Sequence, residues 1–194
     1  MSGDEIDLGK RNMITGAVVA TGGVGAACVA LPFVSYWQPS VAAHAAGAPV
    51  EVDISDLQPG EQRVVEWRRK PVWIIRRTEE ALKSLQGHED NLRDPDSLES
   101  DQPSYATNQT RSLKPEYLVM AGICTHLGCS PTYSPEEDLE AGWTGGFFCP
   151  CHGGKYDLAG RVLEGVPPPK NMMVPPHRYL SDTVLVIGED EGVA

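Results

Sequence analysis

Cysteine is scarce in this sequence outside two short stretches. Four of the five cysteines lie in CTHLGC (124–129) and CPCHGG (149–154), and the fifth is Cys28. Aromatic residues make up only 7% of the chain, whereas 16 prolines and 20 glycines favour turns over long helices. The sequence therefore predicts a turn-rich domain whose chemistry is concentrated in the two cysteine-containing stretches.

Basic residues are also in deficit. The 194 residues include 16 Lys and Arg against 27 Asp and Glu, which gives a net charge of −11. A nucleic-acid-binding protein needs a basic face over the phosphates, so the net charge argues against this function class. The acidity is compatible with an electron-transfer partner that carries positive patches, although most surface charge is simply solvated.

Charged side chains are absent from positions 12–50. Within this gap residues 13–37, MITGAVVATGGVGAACVALPFVSYW, are apolar or small, and a transmembrane helix needs about 20 such residues. The flanks suit two membrane interfaces, with a basic pair before the segment and an aromatic pair at its end: Lys10, Arg11, Tyr36 and Trp37. We therefore expect a single anchor helix over 12–37, which Pro32 kinks or ends and in which Cys28 is a small packing residue.

A cleaved signal peptide is the alternative explanation of this segment. AHA at 43–45 has the small-x-small form of a cleavage site, but the apolar core of a signal peptide runs about 7–15 residues. The longer stretch found here favours an uncleaved anchor. The sequence GKRNMIT resembles a twin-arginine export signal except that Lys10 replaces the first arginine, so the export route stays open.

The basic flank also predicts an orientation. Residues 1–11 are expected in the cytoplasm, and everything after the anchor is expected on the other side of the membrane. Residues 38–49, QPSVAAHAAGAP, are small and uncharged and predict a flexible tether. Residues 50–194 then form the head.

The head is predicted to be mostly β and antiparallel. Apolar runs bounded by turn residues predict strands at 49–54, 62–67, 71–77, 117–123, 145–151 and 183–188. One helix is predicted over 78–88, with Thr78 as its cap and Gly87 at its end. The polar segment 89–116 and the acidic segment 133–146 are expected to be surface loops. Three further histidines are expected at the surface: His44, His88 and His177.

The two cysteine-containing stretches hold six soft ligand atoms, more than one tetrahedral metal site needs. Structural zinc sites space paired ligands at least two residues apart, whereas one residue separates Cys124 from His126, so zinc is the weaker alternative. A spare cysteine pair in an exported head would form a disulfide. The economical partition is four ligands, two from each stretch, plus one disulfide between them. Equal numbers of cysteine and histidine suit two bridged irons.

CTHLGC and CPCHGG resemble the two boxes of the Rieske iron–sulfur proteins, and in particular the family of iron–sulfur subunits of the cytochrome bc complex. The resemblance extends over nearly the whole chain, from the apolar segment and tether to GVPPPKN (165–171), which matches a proline-rich loop of the family. It implies an antiparallel Rieske-type β head with an inserted helix and loop, in which residues 118–172 or so bind the cluster.

By this resemblance the chain holds one [2Fe–2S] cluster per subunit. Two thiolates bind the inner iron and two imidazoles bind the outer iron: Cys124 and Cys149, then His126 and His152. The remaining pair forms the disulfide between the loops: Cys129 and Cys151. Neutral imidazoles in place of two thiolates remove negative charge, which favours the reduced state and raises the potential.

The resemblance also implies two tuning positions and a docking surface. Tyr156 matches a tyrosine that donates to a cluster cysteine sulfur, whereas Gly154 stands where high-potential members have a serine donor. A lost donor destabilises the more negative reduced cluster, so we expect a lower potential than in serine-bearing relatives. Three residues are expected at the docking tip that meets the quinol pocket: Leu127, Pro167 and Pro168. Residues 167–169 are also expected to form a stiff loop that covers the cluster and limits the access of water.

The function that the resemblance implies is electron transfer within a quinol–cytochrome c reductase. His152 hydrogen-bonds to a quinol, expected to be ubiquinol, in the cytochrome b subunit and accepts its proton, and the head passes one electron to a c-type cytochrome. The implied setting is a dimeric complex in a bacterial inner membrane, with one helix in the lipid bilayer and a periplasmic head. The chain is not expected to be active alone. The rival is a Rieske subunit of a soluble periplasmic oxidase, such as arsenite oxidase.

Overall fold

The computed structural model of the chain describes residues 7–135 and 143–190. The chain divides into two compact units, Met1–Ala45 and Ala46–Ala194. The first unit contains helix α1 (Leu8–Ser35), and the second contains every β-strand found among the described residues. The boundary between the units falls within the segment predicted to be a tether.

Helix α1 is apolar enough to cross a membrane. It has 28 residues, its most apolar 18-residue window has a mean hydropathy of 2.0, and none of its side chains is buried. A helix of this length spans roughly 42 Å, more than the ~30 Å hydrocarbon core of a bilayer. The Oδ1 atom of Asp7 caps its start by accepting the N–H groups of Gly9 and Lys10 at 3.0 and 3.1 Å. The helix continues through Pro32 for only three more residues, which limits the cost of the missing N–H.

A short helix lies in the segment predicted to be a flexible tether. Helix α2 (Val41–Ala46) has 6 residues, and Ser40 Oγ accepts the N–H of Ala43 at 3.1 Å near its start. Alanine is the strongest helix former, so this alanine-rich run favours a turn of helix. A helix of this length is marginal in isolation. The segment therefore has local helical structure rather than an irregular path throughout.

The strands of the head form three antiparallel sheets. The first sheet has the order β1–β9–β8, the central sheet β2–β3–β4, and the third sheet β5–β6–β7. Their bounds are β1 Val50–Asp53, β2 Gln62–Trp67, β3 Lys70–Arg76, β4 Tyr117–Ala121, β5 Thr132–Ser134, β6 Gly146–Cys149, β7 Gly154–Tyr156, β8 His177–Tyr179 and β9 Val184–Ile187. The prediction of a mostly β, antiparallel head is confirmed. The three strands that the pattern missed have three residues each, too few to show an alternation.

Both faces of the central sheet are covered. Successive side chains of a strand point to opposite faces. Ile74 of β3 accordingly lies in one hydrophobic cluster with Leu185 of the first sheet. Its neighbour Trp73 lies in a second cluster with Phe147 of the third sheet, with ring centroids 5.6 Å apart. The continuous apolar run in β3 therefore reflects burial on both faces.

The segment between β3 and β4 contains one helix and two turns of 3-10 helix. Helix α3 (Glu79–Lys83) is capped by Thr78, whose Oγ1 accepts the N–H of Ala81 at 3.2 Å. It ends well before the predicted residue 88, and Gly87 adopts a positive φ of 80° after it. The 3-10 turns follow at Glu89–Asn91 and Ser104–Ala106.

The prediction that 89–116 is a surface excursion is wrong for several of its polar residues. Arg111 is fully buried, and Asp94, Ser97 and Ser112 are buried with it. The Nη1 atom of Arg111 donates to the carbonyls of Ala159 and Gly160, both at 3.3 Å. A charged group can be buried when its N–H donors bond to acceptors in this way. The polar composition of the segment was therefore not sufficient to predict its exposure.

A buried ion pair stabilises the loop after β7. Asp157 and Arg161 are each 1% exposed, and Arg161 Nε donates to Asp157 Oδ2 at 2.6 Å. Asp157 Oδ1 also accepts the N–H groups of Ala159 and Arg161 at 2.9 and 2.8 Å. Burial by itself would raise the pKa of Asp157, but the bond from His88 and the charge of Arg161 outweigh it and hold the pKa below its ordinary value.

The predicted surface position of the other histidines is wrong for His177 and only partly right for His88. His177 is 1% exposed, and Tyr105 Oη donates to its carbonyl and accepts its N–H, both at 2.8 Å. The ring Nδ1 of His177 lies 2.9 Å from the carbonyl oxygen of Pro175. His88 is half-buried against Asp157. The side chain of His44 lies outside the described part of the chain.

We expect the buried His177 to make the folding stability of the head sensitive to acid. Burial lowers the pKa of His177, and the Pro175 carbonyl only partly opposes this shift. The unfolded chain binds the proton near pH 6.5 whereas the folded head resists it, so folding stability is lost as the pH falls below about 6.5. We expect His177→Asn, whose amide nitrogen can replace Nδ1 and does not titrate, to lessen this loss.

Thermal unfolding of the full chain in detergent, followed between about pH 7 and about pH 5, measures the effect. His44→Asn is the matched control. An acid-induced decline in Tm as steep in His177→Asn as in the parent would contradict the assignment.

Candidate metal centre

The stretch 124–129 forms a closed loop just after β4. The N–H of Cys124 donates to the carbonyl of Cys129 at 2.8 Å, and the N–H of Gly128 donates to the carbonyl of Cys124 at 3.0 Å. Gly128 has a φ of 85°, a conformation that glycine adopts without steric cost. Leu127 lies at the tip of the loop and is 72% exposed.

The stretch 149–154 forms the hairpin turn between β6 and β7. Cys149 is the last residue of β6, and it pairs with Gly154, the first residue of β7. The N–H of Gly153 donates to the carbonyl of Cys149 at 3.0 Å, and Gly153 has a φ of 71°. The short loop and the sheet register together fix where the side chains of this turn can point.

The thiols and the imidazoles of the two loops differ in exposure. Cys124 and Cys149 are each 2% exposed, whereas His126 is half-buried and His152 is exposed. The rings of His126 and His152 lie edge to face with centroids 4.8 Å apart. The two loops therefore place two thiols towards the interior and two imidazoles side by side towards solvent.

The two interior thiols lie close enough to influence each other. Burial raises the pKa of Cys149, and the hydrogen bond with the neighbouring Cys124 thiol raises it further. Two thiolates are therefore unfavourable here without a positive ion, and metal binding supplies that charge as the protons leave.

A disulfide joins Cys129 of the first loop to Cys151 of the second. The sulfur atoms of these two residues and of Cys149 all lie within 4.8 Å of one another. Sulfurs that are bonded to each other do not carry the thiolate charge of a metal ligand. The donors that remain in the loops are the thiols of Cys124 and Cys149 and the imidazoles of His126 and His152.

The hydroxyl of Tyr156, at the end of β7, contacts the first ligand loop. Its Oη donates to Cys124 Sγ at 3.2 Å and accepts the N–H of Thr125 at 3.1 Å. Burial raises the pKa of Tyr156, and the bond to Cys124 raises it further, so the hydroxyl stays protonated and remains a donor. Thr125 Oγ1 donates in turn to the carbonyl of Lys170 at 2.6 Å, which ties the first loop to the segment 165–171, here called the proline loop.

The proline loop packs directly on Gly154. A Cβ placed on Gly154 would lie 2.7 Å from Pro168 Cγ and 3.3 Å from Cys149 Cβ. Pro168 is buried for this reason, so the expectation of an exposed docking residue at this position is wrong, whereas Pro167 is exposed. The glycine thus allows the close approach of the proline loop, a role that the sequence pattern did not reveal.

Replacing Gly154 with serine tests whether a hydroxyl at this position tunes the centre. Gly154→Ser and Gly154→Ala add the same Cβ against Pro168, so the comparison between them isolates the hydroxyl. A hydrogen bond that favours the reduced state by about 1–2 kcal/mol would raise a one-electron potential by about 40–90 mV. We therefore expect the serine variant to have the higher potential in an EPR-monitored redox titration. Equal potentials in the two variants would refute a tuning role for the hydroxyl.

Several residues that support the loops were not predicted from the sequence. Thr125 joins the first loop to the proline loop, and Arg93 donates to two carbonyls of the proline loop. Trp143 is buried, and its Nε1 donates to the carbonyl of Tyr156 at 3.1 Å. The predicted acidic surface loop 133–146 thus ends in the core at Trp143, and its residues 136–142 lie outside the described part of the chain. A single Arg, Thr or Trp shows no periodic pattern in the sequence, so these supporting roles could not be predicted.

An antiparallel β head with two Cys/His loops, a disulfide between them and a proline loop against one of them defines a Rieske-type iron–sulfur domain. A family model described as "Rieske [2Fe-2S] domain" matches residues 49–178. A second, described as "Ubiquitinol-cytochrome C reductase Fe-S subunit TAT signal", matches residues 4–40.

Curated relatives match along the whole chain. The chain is 51% identical to the ubiquinol-cytochrome c reductase iron-sulfur subunit of Allochromatium vinosum, over 100% of this chain and 95% of the relative. It is 39% identical to the subunit of the same name from Bradyrhizobium diazoefficiens, over 92% of this chain and 94% of the relative. A chain of the solved structure titled "Hyperthermophilic respiratory Complex III" is 32% identical with a TM-score of 0.47, over 90% of this chain and 98% of that chain.

The chain belongs to the family of Rieske iron–sulfur subunits of ubiquinol–cytochrome c reductase. The predicted family, Rieske-type fold and [2Fe–2S] cofactor are thereby confirmed. The donor set fits this cofactor, because two buried thiols and two outward imidazoles provide the mixed ligands of a Rieske centre. The apolar helix and the family together support anchoring in a membrane.

Proposed function

We propose that this chain is the membrane-anchored [2Fe–2S] electron carrier of a quinol–cytochrome c reductase. It accepts one electron, coupled to a proton, from a quinol and passes the electron to a c-type cytochrome. The observation that carries this proposal is the arrangement of the ligand side chains, with two thiols buried and two adjacent imidazoles directed outward. The activity belongs to the complex, because the quinol site lies in another subunit.

The residue roles follow from this division between interior and surface. Cys124 and Cys149 would hold the inner iron, and His126 and His152 would hold the outer iron. The bound cluster supplies a one-electron acceptor whose potential is raised by the neutral imidazoles. Cys129 and Cys151 keep the two ligand loops together, and Tyr156 donates a hydrogen bond to the ligand sulfur of Cys124.

His152 is the residue proposed to contact the quinol. It is the exposed imidazole of the pair, so its ring nitrogen that does not ligate iron can form a hydrogen bond with a quinol hydroxyl. The same nitrogen accepts the proton that leaves with the electron, because reduction makes the imidazole more basic. Leu127 at the tip of the first ligand loop and Pro167 in the proline loop are both exposed and suit an apolar docking surface.

The proposed partners are a cytochrome b subunit with its ubiquinol, a c-type cytochrome and the lipid bilayer, within a dimeric complex. Residues 1–11 would face the cytoplasm, 12–37 would cross a bacterial inner membrane once, and 50–194 would form the periplasmic head. The tether 38–49 would let the head move between its two partners. The match of residues 4–40 to a model that names a TAT signal supports twin-arginine export.

A soluble periplasmic oxidase subunit is the rival function. Full-length similarity to reductase subunits and the apolar helix α1 favour the anchored form. N-terminal sequencing of the mature protein separates the two, because a start near residue 46 would mean that the anchor has been removed.

EPR spectroscopy of membranes that contain the chain tests the proposal. We expect a Rieske-type signal after reduction with ascorbate, because quinol oxidation requires a high-potential centre. A signal that develops only with dithionite would indicate a low-potential centre and would contradict the proposed electron transfer from quinol. Metal bound without a signal in either state would indicate zinc.

A further inference from the structure

The proline loop cannot stabilise itself fully by main-chain hydrogen bonds. Pro167, Pro168 and Pro169 have no N–H groups, so carbonyls in this loop need donors from elsewhere. Two of these carbonyls bond to one side chain. Arg93 Nη1 donates to the carbonyl of Pro168 at 2.6 Å, and Arg93 Nη2 donates to the carbonyl of Val166 at 2.9 Å.

The backbone around Arg93 is itself fixed to the chain that leads into the proline loop. The N–H of Arg93 donates to the carbonyl of Val162 at 3.0 Å, and the N–H of Glu164 donates to the carbonyl of Asn91 at 2.7 Å. Leu92, which is 4% exposed, forms an antiparallel bridge with Leu163. The guanidinium of Arg93 therefore extends from an anchored position towards the loop.

The same segment also holds the far end of the proline loop. Asn171 Nδ2 donates to the carbonyl of Asp94 at 2.8 Å and to Ser97 Oγ at 3.1 Å. The N–H of Asn171 donates to Ser100 Oγ at 3.0 Å. Residues 91–100, here called the clamp segment, thus contact the proline loop at its beginning, its middle and its end. This gives a role to part of the polar segment whose purpose the sequence did not reveal.

The contacts continue from the clamp segment to a ligand residue. The buried ring of Pro168 lies against Gly154, and the position that a Cβ on Gly154 would take is also 3.3 Å from Cys149 Cβ. We propose that Arg93 is a positioning residue, which holds the proline loop closed over Cys149 and so limits the access of solvent to the cluster. This inference rests on the [2Fe–2S] centre of the proposed function.

The forked shape of arginine suits this role. One guanidinium presents several N–H donors in a fixed plane, so it can bond two carbonyls that lie two residues apart. A lysine ammonium keeps the charge but is a single point, and glutamine keeps one amide donor group and loses the charge. Arg93→Lys and Arg93→Gln therefore separate the effect of the fork from the effect of the charge.

The test measures how fast a chelator removes iron from the cluster-loaded, full-length protein in detergent. Bathophenanthroline disulfonate is added to the reduced protein, and the loss of visible absorption is followed. We expect both Arg93→Lys and Arg93→Gln to lose the cluster about tenfold faster than the parent, because two hydrogen bonds that oppose loop opening are weakened. Amide exchange at Asn171, whose N–H donates to Ser100 Oγ, should accelerate in parallel.

Two arginine variants outside the clamp segment serve as controls. Arg69→Gln changes an exposed arginine of the β2–β3 turn, and Arg76→Gln removes a bond to Glu116 that lies elsewhere in the head. Parent-like rates in both Arg93 variants would overturn the proposal, as would a fast Arg93→Gln beside a parent-like Arg93→Lys. An Arg76→Gln variant as fast as Arg93→Gln would mean general loosening and would also overturn it. A parent protein without a Rieske EPR signal contradicts the proposed function instead, before any chelator is added.

Discussion

Replacing Cys129 and Cys151 together with serine is expected to remove most of the cluster and to lower the unfolding free energy of the head by about 3 kcal/mol. The disulfide links two cysteines separated by 22 residues, one in each ligand loop. Without the disulfide the unfolded chain has more conformational entropy, so unfolding becomes more favourable. If the free energy of loop opening falls by the same amount, the population of open loops rises roughly a hundredfold. EPR signal per mole of protein and thermal unfolding of the full chain measure the two effects.

Cys28→Ser is the matched control, because it makes the same chemical change in helix α1. We expect it to leave both the EPR signal and the unfolding of the head at parent values. A double variant that keeps full cluster content and the parent Tm would show that the loops do not need the disulfide.

Asp157→Asn is expected to destabilise the head by about 3–5 kcal/mol, the usual cost of breaking a buried ion pair on one side only. The carboxylate accepts Arg161 Nε and two backbone N–H groups, and its charge also acts on Arg77 and Arg111. Burial lowers the pKa of Arg77 and of Arg111 to about 10, and Asp157 opposes that shift. An amide in its place would leave these buried guanidinium groups without its charge and would present an N–H donor to another donor.

Denaturant unfolding of the full chain in detergent measures the loss, with Asp182→Asn as the control. Asp182 pairs with Lys114 at 3.0 Å on the surface and is exposed, so its replacement should change the unfolding free energy very little. The pH dependence gives an independent check. The folded pKa of Asp157 is depressed, so its contribution is fully present above the unfolded pKa of about 3.9 and is lost as the pH falls through the folded pKa. A loss in Asp157→Asn no larger than that in Asp182→Asn would refute the role of the ion pair.

The clamp segment is part of the polar chain between β3 and β4, and the charge of Asp157 acts on Arg111 of the same chain. This polar chain has the composition of a surface loop, yet Asp94 and Arg111 are buried within it. The guanidinium of Arg111 donates to carbonyls distant in sequence, at Ala159 and Gly160. The carboxylate of Asp94 accepts from three groups four to six residues later, and its main-chain carbonyl accepts from the distant Asn171. Arg93 and Pro168, for example, are 75 residues apart and meet through a hydrogen bond. The local sequence pattern does not show such distant partners, so the prediction that residues 89–116 form a surface loop was wrong for these residues.

Some features of the candidate site could also be predicted from the sequence, whereas others could not. The spacing of cysteine and histidine in two short stretches predicted four metal ligands and a disulfide, and the resemblance to the Rieske boxes assigned these ligands to a two-iron centre. The spacing of these residues does not predict how exposed each ligand side chain is. This exposure depends on Cys124 following a strand of the covered central sheet and on Cys149 ending β6, while His152 lies in the hairpin turn. The sequence likewise does not explain why residue 154 is a glycine, because the explanation is the close packing of Pro168 against it.

The sequence by itself determined the properties that depend on composition and short-range order. These are the apolar anchor helix, the six longer strands, the acidic charge and the paired Cys/His loops. Only the tertiary structure decided which polar residues are buried, which of the predicted docking prolines is exposed, and which side chains hold the proline loop against the ligand hairpin. The physical reason is that burial and hydrogen-bond satisfaction depend on neighbours brought together from distant parts of the chain, whereas helix length, strand alternation and ligand type are properties of adjacent residues.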